Sequence, residues 1–346
     1  MKINKLDKTE FLKKYDISEE SFEKTTLEWT ELENIYNDHI NEIPQLESSA
    51  IFIFNRLMKI PSIHSVRYRI KDPEHLVEKI IRKRIENPDT IISFENYKDI
   101  VTDLIGLRAL HLFKEDWLGI NKSIITIWGL KQKPVANFRK GDSESYIEKF
   151  KENGCETKEH KFGYRSIHYI VETQPTKSKY FAEIQVRTIF EEAWSEIDHT
   201  IRYPYDQNNP LFLQFLLILN RLAGSADEMG TFVIFLKKEL ELKESKHREL
   251  INIKEEAIKE LSLQIQKLKL DKTEKDLLNI SLDKLKLPDF DFDNLPDFIL
   301  PDFDFPTLNE KSTLSDLSKN IDFNWNAIDF SKLIKPKEEN DKGENK

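Results

Sequence analysis

Apolar positions recur at helical spacing through the first 58 residues. Trp29, Leu32, Ile35 and Tyr36 share one face, and Ile51, Phe54, Leu57 and Met58 repeat the pattern. Ser18 stands before an acidic first turn and predicts a helix cap. Pro61 interrupts, and Val66–Ile70 reads as a strand. Residues 73–86 open with proline and keep Leu76, Ile80 and Ile81 together, which predicts a helix. Leu107–Phe113 reads as a strand, and 120–130 mixes helix and strand signals. Residues 131–161 are polar and read as a long loop, with Cys155 inside it. Two runs then alternate with a period of two, 164–171 and 183–187, before a helix over about 189–202. The order β-α-β-α-β-β-α predicts an α+β fold, a mixed β-sheet with flanking helices.

Beyond residue 205 the pattern is helical. Residues 211–219 are strongly apolar and predict a buried helix, and Gly224 and Gly230 read as a break. Leu250, Ala257, Leu261, Ile265 and Leu268 then recur at three-, four- and seven-residue spacings. That coiled-coil-like seam fits either packing on the same chain or a homo-oligomer through the C-terminal helices. Later the texture changes again: LPDF occurs three times, at 287–290, 295–298 and 300–303. Proline at that density blocks helix interiors and central strands. The expected organisation is a helical segment over 1–48, a catalytic domain over 49–205, helices with the seam over 206–272, and a partly disordered tail over 273–346.

Composition narrows the class. Of 346 residues a third are charged, with a net charge of −9. This fits a cytoplasmic protein and disfavours general coating of DNA. No apolar run is long enough for a membrane span. A single cysteine excludes an internal disulfide framework and a cysteine-rich zinc site.

Chemistry concentrates in the two alternating runs. Tyr164, Ser166 and His168 share one strand face, opposite Ile167, Tyr169 and Val171. Glu183, Gln185 and Arg187 share a face of the next run. An aromatic ring, a hydroxyl, an imidazole, a carboxylate, an amide and a guanidinium on neighbouring strands make up the inventory of an active site.

Four pieces in order resemble the RelA/SpoT alarmone synthetase family, small synthetase-only type. They are Arg69-Ile70-Lys71 with Pro73 and Glu74; Asp103-Leu104-Ile105-Gly106-Leu107-Arg108; Gly163 to Tyr169; and Glu183 to Thr188, closed by Trp194, Glu196 and His199. The resemblance implies a nucleotidyltransferase-like sheet and transfer of the β,γ-pyrophosphate of ATP to the 3′-hydroxyl of GDP or GTP. The products would be the alarmones of the stringent response. It implies Mg²⁺ held by Asp103 and Glu183, with Glu183 also drawing the hydroxyl proton. Arg69 and Arg108 would sandwich adenine, and Lys71 and Lys79 would meet phosphate. Tyr164 would stack on the acceptor guanine, with Ser166, His168, Gln185 and Arg187 around the acceptor and the transferring group. Trp194 and His199 read as structural, holding the following helix to the sheet.

Three positions depart from the family pattern, one of them His75, which stands in place of a commonly seen serine. His160 and Phe162 stand where many members carry lysine and asparagine that recognise the acceptor. This keeps a tRNA 3′ end or an adenosine nucleotide open as acceptor, with tRNA the less favoured partner given the net charge. A non-catalytic nucleotide-sensing module is the remaining alternative.

Overall fold

The structure, a computed structural model, describes residues 6–202, 210–267 and 271–283. They fall into two compact units, one running through Glu228 and one beginning at Met229. The division lies inside a helix, later than the boundary expected near 205.

Three helices open the first unit: α1 (Lys8–Lys14), α2 (Glu19–Glu23) and α3 (Trp29–Leu57). Ser18 caps α2 as expected, its side chain accepting from the Ser21 amide. Strand β1 (Ser65–Ile70) leads into α4 (Pro73–Glu86). Asp72 caps α4 by accepting from the Glu74 and His75 amides, and Pro73 takes the first turn, where no amide hydrogen is needed. Then follow α5 (Tyr97–Ile100), β2 (Ile105–His111) and α6 (Trp117–Ile127). Residues 131–161 correct the loop reading, since they contain β3 (Val135–Phe138), α7 (Glu144–Glu152) and β4 (Glu156–Glu159). The apolar signal there is sparse because α7 buries only Phe150, β4 is the edge strand, and the four-residue β3 buries only Ala136. The unit continues with β5 (Ser166–Thr173), β6 (Tyr180–Thr188), α8 (Ile189–Arg202) and the start of α9 (Pro210–Lys267). A last helix, α10 (Lys272–Asp283), belongs to the second unit.

The sheet order is β1-β2-β6-β5-β3-β4. β2 and β6 are parallel, whereas β1 with β2 and β5 with β6 are antiparallel. The fold is thus α+β with a mixed sheet. Its apolar face carries Leu107, Ile184, Val186 and Tyr169. These pack with Leu46, Ala50, Ile53 and Leu57 of α3 and Trp117, Ile120 and Ile124 of α6. A second core joins α1 to α5, with Phe11, Phe22, Leu32, Ile35, Leu76, Ile80 and Tyr97. It fixes α4, which matters below because α4 carries Lys79.

Helix α9 runs unbroken through Gly224 and Gly230, against the break read from those residues. A helical glycine costs only about 1 kcal/mol relative to alanine. Nor is 211–219 buried as a whole: Leu216 faces inward, whereas Phe215 and Leu217 are exposed. In the second unit Leu250 and Leu261 lie exposed on α9. Leu268 and the LPDF repeats lie outside the described residues. No described helix is long and apolar enough to cross a membrane.

Cys155 lies in the connection between α7 and β4, as expected, and there it is buried in the core. Burial pushes its thiol up to about 11. Two pH units above the ordinary value of a cysteine mean about 100-fold less thiolate. Alkylation of the native protein should therefore be slow at pH 8 and rise with the unfolded fraction in urea. Rapid labelling without denaturant would contradict this packing.

Candidate functional site

The polar face of the sheet is a grid set by strand register. In one row Arg69 of β1 pairs with Gly106 of β2, and Gly106 with Glu183 of β6. In the next, Arg67 pairs with Arg108, Arg108 with Gln185, and Gln185 with His168 of β5. Alternation across a strand puts all of them on the face opposite the core. The Arg69 stem lies over Gly106, its Cγ and Nε 3.5 Å from where a Cβ would stand. A cavity of about 200 Å³ opens over this floor, lined by Arg67, Arg69, Asp103, Arg108, Glu183 and Gln185 among others.

Asp103 sits just before β2, and two ammonium groups reach the same carboxylate oxygen. Lys71 Nζ lies 3.0 Å from Oδ2, and Lys79 Nζ lies 2.7 Å from it. Burial opposes the charge, but the two lysines outweigh it and hold the carboxyl down to about 2. The other oxygen, Oδ1, is buried with no hydrogen-bond partner among the described residues. Behind Lys71, the buried His39 of α3 approaches its backbone carbonyl to 2.7 Å, and the Lys71 amide donates to Leu104. The backbone on both sides of the ion pair is thereby held.

Glu183 is the second carboxylate of the cleft and is half-buried. His168 Nδ1 lies 3.1 Å from its Oε1, and Gln185 Nε2 donates to Oε2 at 2.8 Å. Burial would raise its pKa; these contacts outweigh burial and lower it. The chain of contacts continues outward. Tyr164 places its hydroxyl 3.1 Å from His168 Nε2 and 3.3 Å from Gln185 Oε1. Arg187 donates to Gln185 Oε1 at 2.8 Å and stacks its guanidinium 5.3 Å from the Tyr164 ring centre. Asp103 and Glu183 also interact unfavourably as like charges, so two acidic groups share one basic cleft.

Residues 68–208 match the family described as "Region found in RelA / SpoT proteins". This segment belongs to the RelA/SpoT family. Two curated relatives, both from Bacillus subtilis (strain 168), align with the chain. GTP pyrophosphokinase YwaC is 28% identical over 183 residues, 52% of this chain and 76% of its own. GTP pyrophosphokinase YjbM is 28% identical over 152 residues, 43% of this chain and 60% of its own. A GTP pyrophosphokinase family protein from Streptococcus pneumoniae overlaps 62% of this chain and 96% of its own at 24% identity. Its TM-score is 0.38, too loose to carry residue correspondences. The chain thus carries a RelA/SpoT transferase domain.

Within the RelA/SpoT segment most of the expected residues meet. Arg69, Asp103, Arg108, Glu183 and Gln185 line the cavity; Lys71 and Lys79 reach it through Asp103, and His168 and Tyr164 through Glu183 and Gln185. Three depart from the reading of one free polar face. Ser166 is buried and its hydroxyl donates to the Val186 carbonyl, so it serves the sheet. Arg187 is fully buried and braces Gln185 and the tyrosine ring. Arg108 is already engaged by Glu192, at 2.9 Å, and by Glu196 of α8. Trp194 of α8 donates to the Leu216 carbonyl of α9 at 2.9 Å, whereas His199, read with it as structural, lines the cavity. Sequence reasoning missed Arg67, Glu192, His39 and Asn220. Arg67 shares the period-two face with Arg69, a signal present in the sequence; the other three are brought in by helices distant in the chain.

The Glu183 environment sets a pH expectation. His168→Leu removes one of the two groups that favour the carboxylate, leaving Gln185 alone against burial and the like charge of Asp103. The titration of Glu183, followed by carboxyl carbon NMR, should move to higher pH in this variant. An unchanged or lower midpoint would show that His168 does not stabilise the charge.

Proposed function

We propose that this chain transfers the β,γ-pyrophosphate of ATP to the 3′-hydroxyl of GDP or GTP, making the corresponding (p)ppGpp and releasing AMP. The observation carrying this reading is the pairing of two half-buried carboxylates, Asp103 and Glu183, with a cluster of cationic groups in one cleft. A triphosphate needs that density of positive charge, and a hydroxyl nucleophile needs a nearby ionised carboxylate. In the reaction a bond forms between the 3′-oxygen and the β-phosphorus. The bond from that phosphorus to the oxygen bridging to the α-phosphate breaks, and AMP leaves with that oxygen. Glu183, held ionised by His168 and Gln185, takes the hydroxyl proton. Lys71, Lys79 and Arg69 bind and orient the triphosphate, and Tyr164 offers a ring for the acceptor base.

The residues fit Mg²⁺. Asp103 Oδ1 is a buried, unpartnered carboxylate oxygen beside the cavity. No group of three acidic, histidine or cysteine ligands occurs among the described residues. That suits an ion held by one or two carboxylates together with substrate phosphates. When bound by Asp103 and Glu183, Mg²⁺ would supply charge neutralisation on the transferring group.

A second acceptor class is favoured by one observation. His160, Phe162 and Tyr164 form an aromatic row, with ring centres 6.2 Å apart for the first two and 5.3 Å apart for His160 and Tyr164. Such a row stacks bases with little regard for identity. It would suit the 3′ end of a tRNA or an adenosine nucleotide.

Labelled ATP offered with GDP, GTP, AMP and bulk tRNA in parallel distinguishes these readings. Label on GDP or GTP supports the first, label on tRNA or AMP the second, and label on none removes both. Asp103→Asn and Glu183→Gln should each lower transfer by about 100-fold or more. Tyr164→Ala should raise the KM of the acceptor by roughly 5- to 150-fold, with a smaller effect on that of ATP. Wild-type turnover in either carboxylate variant would remove the assignment.

Self-association is a further expectation, resting on the exposed Leu250 and Leu261 of α9. Sedimentation of the full chain tests it: an oligomer is expected, and a monomer at tens of micromolar would exclude it.

A further inference from the structure

Tyr164 stands between two residues that α9 holds. The Gly163 carbonyl accepts from Asn220 Nδ2 at 2.9 Å. Arg165 Nη1 donates to the other end of the same amide, Asn220 Oδ1, at 3.2 Å. Arg165 also forks onto Asp142, with Nε to Oδ2 at 2.8 Å and Nη2 to Oδ1 at 2.6 Å. Gly163 has φ +76°, and a Cβ there would come within 3.3 Å of Asn220 and 3.1 Å of the Arg139 stem. The backbone approaches the helix at a point where only glycine fits without strain.

The helix is in turn held on both sides of Asn220, by α8 on one side and by the end of β6 on the other. The Leu216 carbonyl accepts from Trp194, and Asp227 Oδ2 accepts from the Thr188 hydroxyl at 2.8 Å. Residues 216, 220, 224 and 227 form one stripe at helical spacing and are α9's inward face in the first unit. Gly224 on this face packs against Arg165, and a Cβ there would lie 3.4 Å from Nη2, in ordinary contact. If the stripe served only to dock α9, apolar side chains would suffice. A buried amide is tolerated only when its donor and acceptor are both satisfied. At Asn220 both are used, on the two residues flanking the tyrosine.

We propose that Asn220 is a positioning residue for the acceptor nucleotide. It brackets Tyr164 from α9, with Asp142 and Arg165 completing the clamp, and sets the ring against His168, Gln185 and Arg187 without touching substrate. The inference rests on the reading of Tyr164 as the acceptor-side residue.

The test uses the full-length chain and three variants, Asn220→Leu, Asn220→Asp and Asp142→Asn. Asn220→Asp keeps an oxygen for Arg165 but loses the donor to Gly163, so it isolates that bond if the leucine variant fails to fold. Hydrogen–deuterium exchange of residues 160–166 should rise in Asn220→Leu and Asn220→Asp while the strands stay protected. The KM of the guanine nucleotide should rise about tenfold, as for the loss of a buried hydrogen bond, with that of ATP changed less than about twofold. Asp142→Asn should give a smaller shift in the same direction. Unchanged exchange in 160–166, or equal loss toward both substrates, overturns the proposal. If the wild type uses no guanine nucleotide, the reading of the acceptor has failed. The same comparison is then made with whichever acceptor is labelled, and exchange still decides whether Asn220 holds the loop.

Discussion

A carboxylate removed from water needs a partner, and Asp103 has two on the same oxygen. Lys71 comes from the end of β1 and Lys79 from α4, so three parts of the chain converge on one charge. Breaking one partner from a buried ion pair costs about 3–5 kcal/mol, because it leaves charge uncompensated. The arrangement constrains much of the first unit. α4 must present Lys79, which requires the second core beneath it, and β1 must end with Lys71 beside Leu104. His39 secures that junction from α3. The outcome is a cleft with cationic surplus in which Asp103 Oδ1 has no hydrogen-bond partner among the described residues.

The sheet does the rest through register. Because β2 and β6 are parallel and in step, Gly106 lies next to Glu183 and Arg108 next to Gln185. Each alternation that sends Leu107 and Ile184 into the core sends a charged or polar neighbour into the cleft. Packing and chemistry are therefore coupled. A one-residue slip of β6 would bury Glu183 and Gln185 against α3 and expose Ile184. The high apolar content of the core face is what makes that slip costly.

Supporting contacts come from further along the chain. α8 supplies Glu192 and Glu196 to Arg108, so this guanidinium must exchange or share partners to meet a nucleotide base. α9 supplies a polar stripe to the loop that carries Tyr164. These helices contribute side chains that hold the cleft's own groups, whereas the strands contribute the groups themselves. The 131–161 region behaves similarly. Its two short strands and α7 carry few apolar residues, and Asp142 next to Gly141 anchors Arg165.

The sequence alone determined the alternating strands, the helix over 73–86 with its proline start, the cap at Ser18 and the face shared by Glu183 and Gln185. Those features are local: periods of two and 3.6 and the preferences of cap residues are written in neighbouring positions. The four ordered motifs also marked Asp103, Arg69 and Tyr164. Only tertiary structure decided that Lys79 meets Asp103 rather than solvent and that Ser166 turns into the sheet. It also decided that Cys155 is core, that Gly224 packs on Arg165 instead of ending a helix, and that Asn220 grips the Gly163 carbonyl. Each of these depends on which strand lies beside which and on how a helix distant in the chain approaches. Local periodicity places a side chain on a face, but the partner across that face is chosen by the packing of the whole unit.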